Sequence, residues 1–182
     1  MKALINPQPP VGNEEKVAGI LKHVEANMGL VPDGIRMFGV SPVLLESMMG
    51  NVAYFMGHEE LRQDLLWTIR YLNSEEVKCD FCISFTAGML MNNLGKTAED
   101  LQAAKENPDN APLTDNEKVL LKIALASCDN PEGVSGDDIQ KARDVGYSEQ
   151  NIFDAVAAAV NNRAFTYLLR TFKVHEIQGS FD

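Results

Sequence analysis

The sequence predicts an all-α protein of about eight or nine helical segments, and three observations carry that reading. Apolar residues recur at helical spacing through most of the 182-residue chain, as in Val17, Ile20, Leu21, Val24 and Met28. Helix starts are marked by capping residues, among them Ser41-Pro42, Thr97-Ala98-Glu99-Asp100 and Thr114-Asp115-Asn116-Glu117, and stops by glycines such as Gly29, Gly95 and Gly146. No stretch alternates apolar and polar residues as a half-buried strand does.

Taken in order, residues 1–12 hold Pro7, Pro9, Pro10 and Gly12 and read as an extended arm, followed by one all-helical domain over 13–182. A first helix spans Glu14 to Met28 and stops at Gly29. Ile35 to Val40 is a short helical segment. Ser41 as N-cap and Pro42 at the first helical position open a helix to about Met56. Residues 60–73 form the next, with Leu61, Leu65, Leu66, Ile69 and Leu72 inward and Trp67 as core or interface. Asn73 to Lys78 is a polar joint, and a helix from Cys79 to Met91 follows it. Thr97 caps a short polar helix ending near Glu106. The linker 107–113, with Pro108 and Pro112, can divide the domain into two halves, which a faint echo between residues 61–66 and 116–121 also suggests. Beyond it, helices run from Thr114 to Cys128, from Ser135 to Val145 and from Gln150 to His175, before a short polar tail.

Composition narrows the function. Apolar residues make up 45% and charged residues 23%, an ordinary globular balance. A net charge of −10 argues against nucleic acid and anionic membranes as partners. The N-terminus lacks the apolar core of a signal peptide, and no apolar run approaches membrane-spanning length, so a cytoplasmic, reducing compartment is expected.

Two of the three cysteines stand in Cys79-Asp80-Phe81-Cys82 at the head of a helix. The free N–H groups and the macrodipole of a helix start favour an anion there, which lowers a thiol pKa toward the reactive thiolate, and Lys78 adds a neighbouring positive charge. Residues 79, 82 and 86 fall on one helix face, so Cys82 can resolve an oxidised Cys79 and Thr86 is the next side chain along. Three other readings compete: both thiols as small core hydrophobes, a structural zinc site, or a static disulfide. Zinc needs about four ligands, and there is no second Cys-x-x-Cys; His23, His58 and His175 are single and far apart. No metal is expected. Cys128 falls at a helix end, where the dipole opposes a thiolate, and reads as structural.

From about Gly29 to Phe172 the chain resembles the carboxymuconolactone decarboxylase and alkylhydroperoxidase D-like superfamily, in its peroxidase-related branch. The pieces are Gly29-Leu30-Val31-Pro32, Ser41-Pro42, Leu61-Arg62-Gln63-Asp64-Leu65, Leu72-Asn73, Cys79-Asp80-Phe81-Cys82, Leu113-Thr114 with Glu117-Lys118, and Gly146-Tyr147-Ser148 with Ile152 and Asn161-Asn162-Arg163. The resemblance implies an alkylhydroperoxidase D-like helical bundle, usually a trimer or hexamer. It implies antioxidant peroxidase or disulfide-exchange chemistry without a cofactor, with a peroxide substrate and a dithiol reductant of thioredoxin-like or lipoyl type. In that branch the second cysteine attacks the peroxide, which favours Cys82, whereas the helix-start argument favours Cys79.

The departures concern protons. The branch carries a glutamate where Gln63 stands and a histidine where Thr86 stands. An amide is no base at neutral pH, and a hydroxyl only passes a hydrogen bond. Substitute relay groups are Asp64, Glu75, Glu76 and His58, although Glu75 and Glu76 also read as solvated helix-start acids and Asp64 as a surface residue. Two alternatives stand beside the peroxidase: a decarboxylase-like protein, which does not need the cysteine pair, and a non-catalytic helical scaffold.

Overall fold

The structure, a computed structural model, describes residues 2–181; within them are nine α-helices and no β-strand. The chain forms two compact units, Met1–Gly57 with Leu168–Asp182, and His58–Tyr167.

The first unit is built from both ends of the chain. Its helices are α1 (Glu14–Met28), α2 (Asp33–Arg36), a 3₁₀ turn Met37–Val40, and α3 (Pro42–Met56). The 3.6-residue apolar stripe of α1 buries Val17 and Val24 against Ile35 and Leu45, with Ile20, Leu21, Phe38, Met48 and Met49 closing the cluster. Full burial of such aliphatic side chains stabilises by about 1.5–3 kcal/mol each. Gly29 ends α1 in the left-handed region at φ 76°. The N-terminal arm is fixed to the unit: a Cβ on Gly39 would stand 3.2 Å from the Pro7 carbonyl, and Ala3 N–H and Leu4 N–H donate to the carbonyls of Ser180 and Phe172. The C-terminal tail, expected as a short polar end, is anchored too. Buried Asp33 accepts the Ser180 N–H at 2.7 Å, and Arg36 lies over the Phe181 ring.

The second unit holds α4 (Gln63–Glu76), α5 (Asp80–Gly88) continued by a π-turn Met89–Asn93, α6 (Ala98–Glu106), α7 (Asp115–Asp129), α8 (Gly136–Asp144) and most of α9 (Glu149–Phe172), which enters the first unit at Leu168. Its core is Leu61, Leu65, Leu66, Ile69, Leu90, Leu120 and Leu121 with the alanines 155, 158 and 159 of α9. Helix α4 packs on α5, α6 and α7. The segment 107–113 lies inside this unit, between α6 and α7.

Several boundaries differ from the sequence reading, each for a local reason. Helix α4 starts at Gln63, not residue 60, because His58 Nδ1 accepts the N–H groups of Glu60 and Leu61 and holds them in a turn. It continues through the expected joint to Glu76, since Asn73 and Ser74 are buried with their polar atoms bonded. Glu75 and Glu76 therefore close α4 and do not open the next helix. Helix α9 stops at Phe172, short of His175, because Lys173 turns into the left-handed region at φ 60° and Val174 N–H bonds back to Leu169. Ser41 precedes α3 but makes no side-chain cap; Pro42 at the first helical position sets that start.

Candidate active site

Cys79 and Cys82 are joined as a disulfide at the start of α5, with Cα atoms 5.2 Å apart. Cys79 is the N-cap of α5, one residue before the helix, and Cys82 is its third residue. Both are almost completely buried, at 1% and 2% exposure. Thr86 lies one turn further on the same buried face, as the spacing predicts. Cys79 makes no side-chain cap bond, and the pair sits at the positive dipole end of α5.

Cys79 is placed by how α4 ends. Its N–H donates to the Ser74 carbonyl at 3.1 Å, while Lys78 N–H donates to Glu75, also at 3.1 Å. This pair of bonds is the Schellman closure, and it requires the residue between to be left-handed. Lys78 takes that position at φ 53°.

Ser74 is itself fixed from α9: Asn162 Nδ2 donates to Ser74 Oγ at 3.2 Å, and Ser74 Oγ donates to the Arg70 carbonyl at 2.6 Å. Next to it, buried Asn73 donates to the Ala159 carbonyl at 2.7 Å and accepts from Arg163 Nε at 2.7 Å. Arg163 also reaches Asp129 at 2.8 Å. This scaffold of Asn73, Asn162 and Arg163 was not assigned a role from sequence. Its signs in the sequence are the pieces Leu72-Asn73 and Asn161-Asn162-Arg163, the latter in a helix otherwise rich in alanine.

A second feature hidden in the sequence is an aromatic wall. Phe81 stacks on Phe85 at 6.0 Å between ring centroids, meets Phe165 edge-on at 6.3 Å, and Phe85 meets Trp67 edge-on at 6.0 Å. The Arg70 guanidinium lies 4.8 Å above the Trp67 ring, and burial brings its pKa down to about 10. Trp67 is thus buried against the α5 ring of Phe85. The i, i+4 spacing of Phe81 and Phe85 was the available signal.

The relay candidates are dispersed among other partners. Thr86 Oγ1 donates to the Cys82 carbonyl at 2.7 Å, so its proton serves the helix backbone. Asp64 is half-buried and no plain surface residue. Burial pushes its carboxyl pKa up, but the bond and charge of Lys96 and the charge of Arg62 outweigh this and hold it below the usual value. Glu75 accepts the Tyr71 hydroxyl at 3.0 Å and pairs with Lys105 at 2.8 Å. Glu76 is exposed, and Gln63 is half-buried at the first position of α4. His58 is buried against Asp154, Nε2 to Oδ2 at 3.1 Å, while Nδ1 accepts two backbone N–H groups. That pattern assigns the Nε2–H tautomer and commits both ring nitrogens to structure.

Cys128 is half-exposed in the last turn of α7. Burial pushes its thiol pKa up, only partly offset by Arg163. Among the described residues no three His, Cys, Asp or Glu side chains gather as a metal site, and no helix is long and apolar enough to cross a membrane.

Solved structures share this architecture. A peroxidase-related protein from Silicibacter sp. TM1040 matches with a TM-score of 0.81 at 15% identity, over 94% of this chain and 90% of its own. The alkylhydroperoxidase AhpD core of a peroxidase-related protein from Ralstonia eutropha JMP134 matches at 0.80 and 15%, over 98% and 92%. The chain has the AhpD-like fold. The debrominase Bmp8, solved as a cysteine-to-alanine variant with 2,3,4-tribromopyrrole, shares the AhpD-like arrangement at a TM-score of 0.73 and 17% identity, over 98% of this chain and 95% of its own. No family model and no curated protein matches the sequence.

Proposed function

We propose that the chain is a thiol peroxidase and disulfide oxidoreductase working through Cys79 and Cys82. The observation that supports this most directly is the bonded pair at the start of α5. In the reduced protein, the Cys82 thiolate attacks one peroxide oxygen. The O–O bond breaks, the alkoxide or hydroxide leaves and takes a proton from water, and Cys82 becomes a sulfenic acid. The Cys79 thiolate, stabilised at the N-cap by the positive dipole end of α5, then attacks the Cys82 sulfur. Hydroxide leaves and is protonated to water, and the disulfide forms. A dithiol of thioredoxin-like or lipoyl type returns both thiols by exchange. Without the glutamate and histidine of the peroxidase branch, solvent supplies the protons, so the reaction is slower than a relay would make it.

The test is a thiol count by mass spectrometry on the reduced protein after stoichiometric hydrogen peroxide, beside Cys79→Ser and Cys82→Ser. The expected result is loss of two thiols in one intramolecular disulfide, with a sulfenic acid trapped on Cys82 in Cys79→Ser. If both thiols survive for hours, the reading fails.

The wall of Phe81, Phe85, Phe165 and Trp67 favours a second substrate for the same pair, a halogenated aromatic ring. Two thiols then become a disulfide while the carbon–halogen bond becomes carbon–hydrogen and hydrogen halide leaves. Bromide release from 2,3,4-tribromopyrrole by the reduced protein separates this reading from the first.

A further inference from the structure

The disulfide is too deeply buried for the reductant that the proposed cycle requires. Attack on a disulfide needs the incoming thiolate to reach a sulfur, and access is one determinant of its rate. At 1% and 2% exposure, Cys79 and Cys82 offer no such approach, so part of the unit must open first. The joint between α4 and α5 is the segment built to do so. It is short, Val77 to Cys79, and it is closed by the two Schellman bonds to Ser74 and Glu75. Cys79, the N-cap of α5, makes no side-chain cap bond.

The residue at the centre of this joint works against its closure. The same closure ends α8, where Gly146 N–H bonds to Arg143, Tyr147 N–H bonds to Ala142, and Gly146 holds the left-handed position at φ 100°. Glycine is the common choice there because a Cβ raises the energy of that backbone region. The α4 closure instead uses Lys78, exposed and at φ 53°.

We infer that Lys78 is a positioning residue whose left-handed backbone keeps the closed joint poised to open and admit a dithiol to Cys79. The inference rests on the redox reading of the pair. In the opened state Lys78 leaves the left-handed region, and Cys79, at the joint, is uncovered. The reductant thiolate bonds the Cys79 sulfur, the Cys79–Cys82 bond breaks, and its electron pair remains on Cys82 at the positive end of α5. The reductant's second thiolate then displaces Cys79 from the mixed disulfide, leaving two protein thiols and an oxidised dithiol.

The experiment measures reduction of the folded, oxidised protein by dithiothreitol without denaturant, followed by thiol alkylation and mass spectrometry. The disulfide is formed beforehand with diamide, so the measurement does not depend on peroxide reactivity. Lys78→Gly relieves the backbone cost of the closed state and is expected to slow reduction about fivefold, with matching extra hydrogen-exchange protection at the Cys79 amide. Lys78→Ala keeps a Cβ and removes the charge, and is expected to slow reduction by clearly less than Lys78→Gly does. Lys173→Gly relieves the same kind of turn at the end of α9 and is expected to leave the rate unchanged. A Lys78→Gly rate equal to the parent rate overturns the inference. So does equal slowing by Lys78→Ala, which makes the effect one of charge, or by Lys173→Gly, which makes the opening global unfolding. Failure of peroxide to oxidise the pair, with these rates as expected, overturns the peroxidase reading alone.

Discussion

Asn73 has no exposed surface, and its amide joins two elements: Nδ2 donates to the Ala159 carbonyl and Oδ1 accepts from Arg163. Removing the amide takes the acceptor from Arg163 Nε–H and one bond from the Ala159 carbonyl, which keeps its bond within α9; a buried group left unpaired costs about 1–3 kcal/mol. Asn73→Ala is expected to lose about 2–4 kcal/mol in urea unfolding; a loss below about 1 kcal/mol would show that water replaces the amide. Thr86 is the opposite case. Its hydroxyl bonds the backbone of its own helix, so Thr86→Val is expected to leave the rate of peroxide-driven disulfide formation within twofold, roughly the scatter of such a substitution. A tenfold loss would restore Thr86 as a relay group. Sequence reasoning could find the cysteines because their chemistry is rare and their spacing is local. It could not find Asn73, whose partners lie far along the chain, and it treated Glu75 as a solvated acid when Lys105 and Tyr71 hold it.

At the scale of elements, the starts of helices were more legible than their ends. Capping boxes are written in three or four consecutive residues, and those at Thr97, Thr114 and Ser135 form with both reciprocal bonds. Thr114→Ala is expected to cost about 1 kcal/mol, since it removes the acceptor for the Glu117 N–H and the hydroxyl that bonds the Glu117 carboxylate. Ser41→Ala is expected to change stability by no more than about 0.3 kcal/mol, because Ser41 caps nothing. Paired thermal melts decide both, and equal losses would mean that the Ser41 hydroxyl caps α3 in solution. The ends of α4 and α9 escaped the reading because lysine, not glycine, takes the left-handed position at residues 78 and 173. No local pattern marks such a stop; it follows from tertiary burial of the next residue, Cys79 or Val174. The all-α class was legible throughout, since periodicity does not depend on where a helix ends.

At the scale of the whole molecule, the first unit closes through backbone bonds between residues 3–4 and 172–180, which no local pattern encodes. What sequence does encode is charge, and it bounds the pH range of the fold. On the acid side, Asp64, Asp100, Asp138 and Glu149 all have lowered carboxyl pKa values, Asp138 about 2, chiefly through its bonds to the Ser135 cap. A lowered folded pKa contributes stability that is present above the unfolded value of about 4 and lost as pH falls through the folded one. On the alkaline side, burial and the bond to Glu75 push the Tyr71 phenol up to about 12. The sign is reversed there: the folded state holds its proton more tightly, so that stability is intact below the unfolded value of about 10 and is lost between about 10 and 12. Urea midpoints from pH 2 to 12 should therefore form a plateau between about 4 and 10. Tyr71→Phe is expected to lower the plateau by about 1 kcal/mol through the lost bond to Glu75 and to flatten the alkaline fall. Asp64→Asn is expected to lower the plateau by leaving Lys96 without its carboxylate, and its deficit should shrink as the pH falls below the unfolded carboxylate value of about 4. An alkaline fall as steep in Tyr71→Phe as in the parent chain would assign that limb to other groups, with Tyr147, also raised by burial, the next to replace.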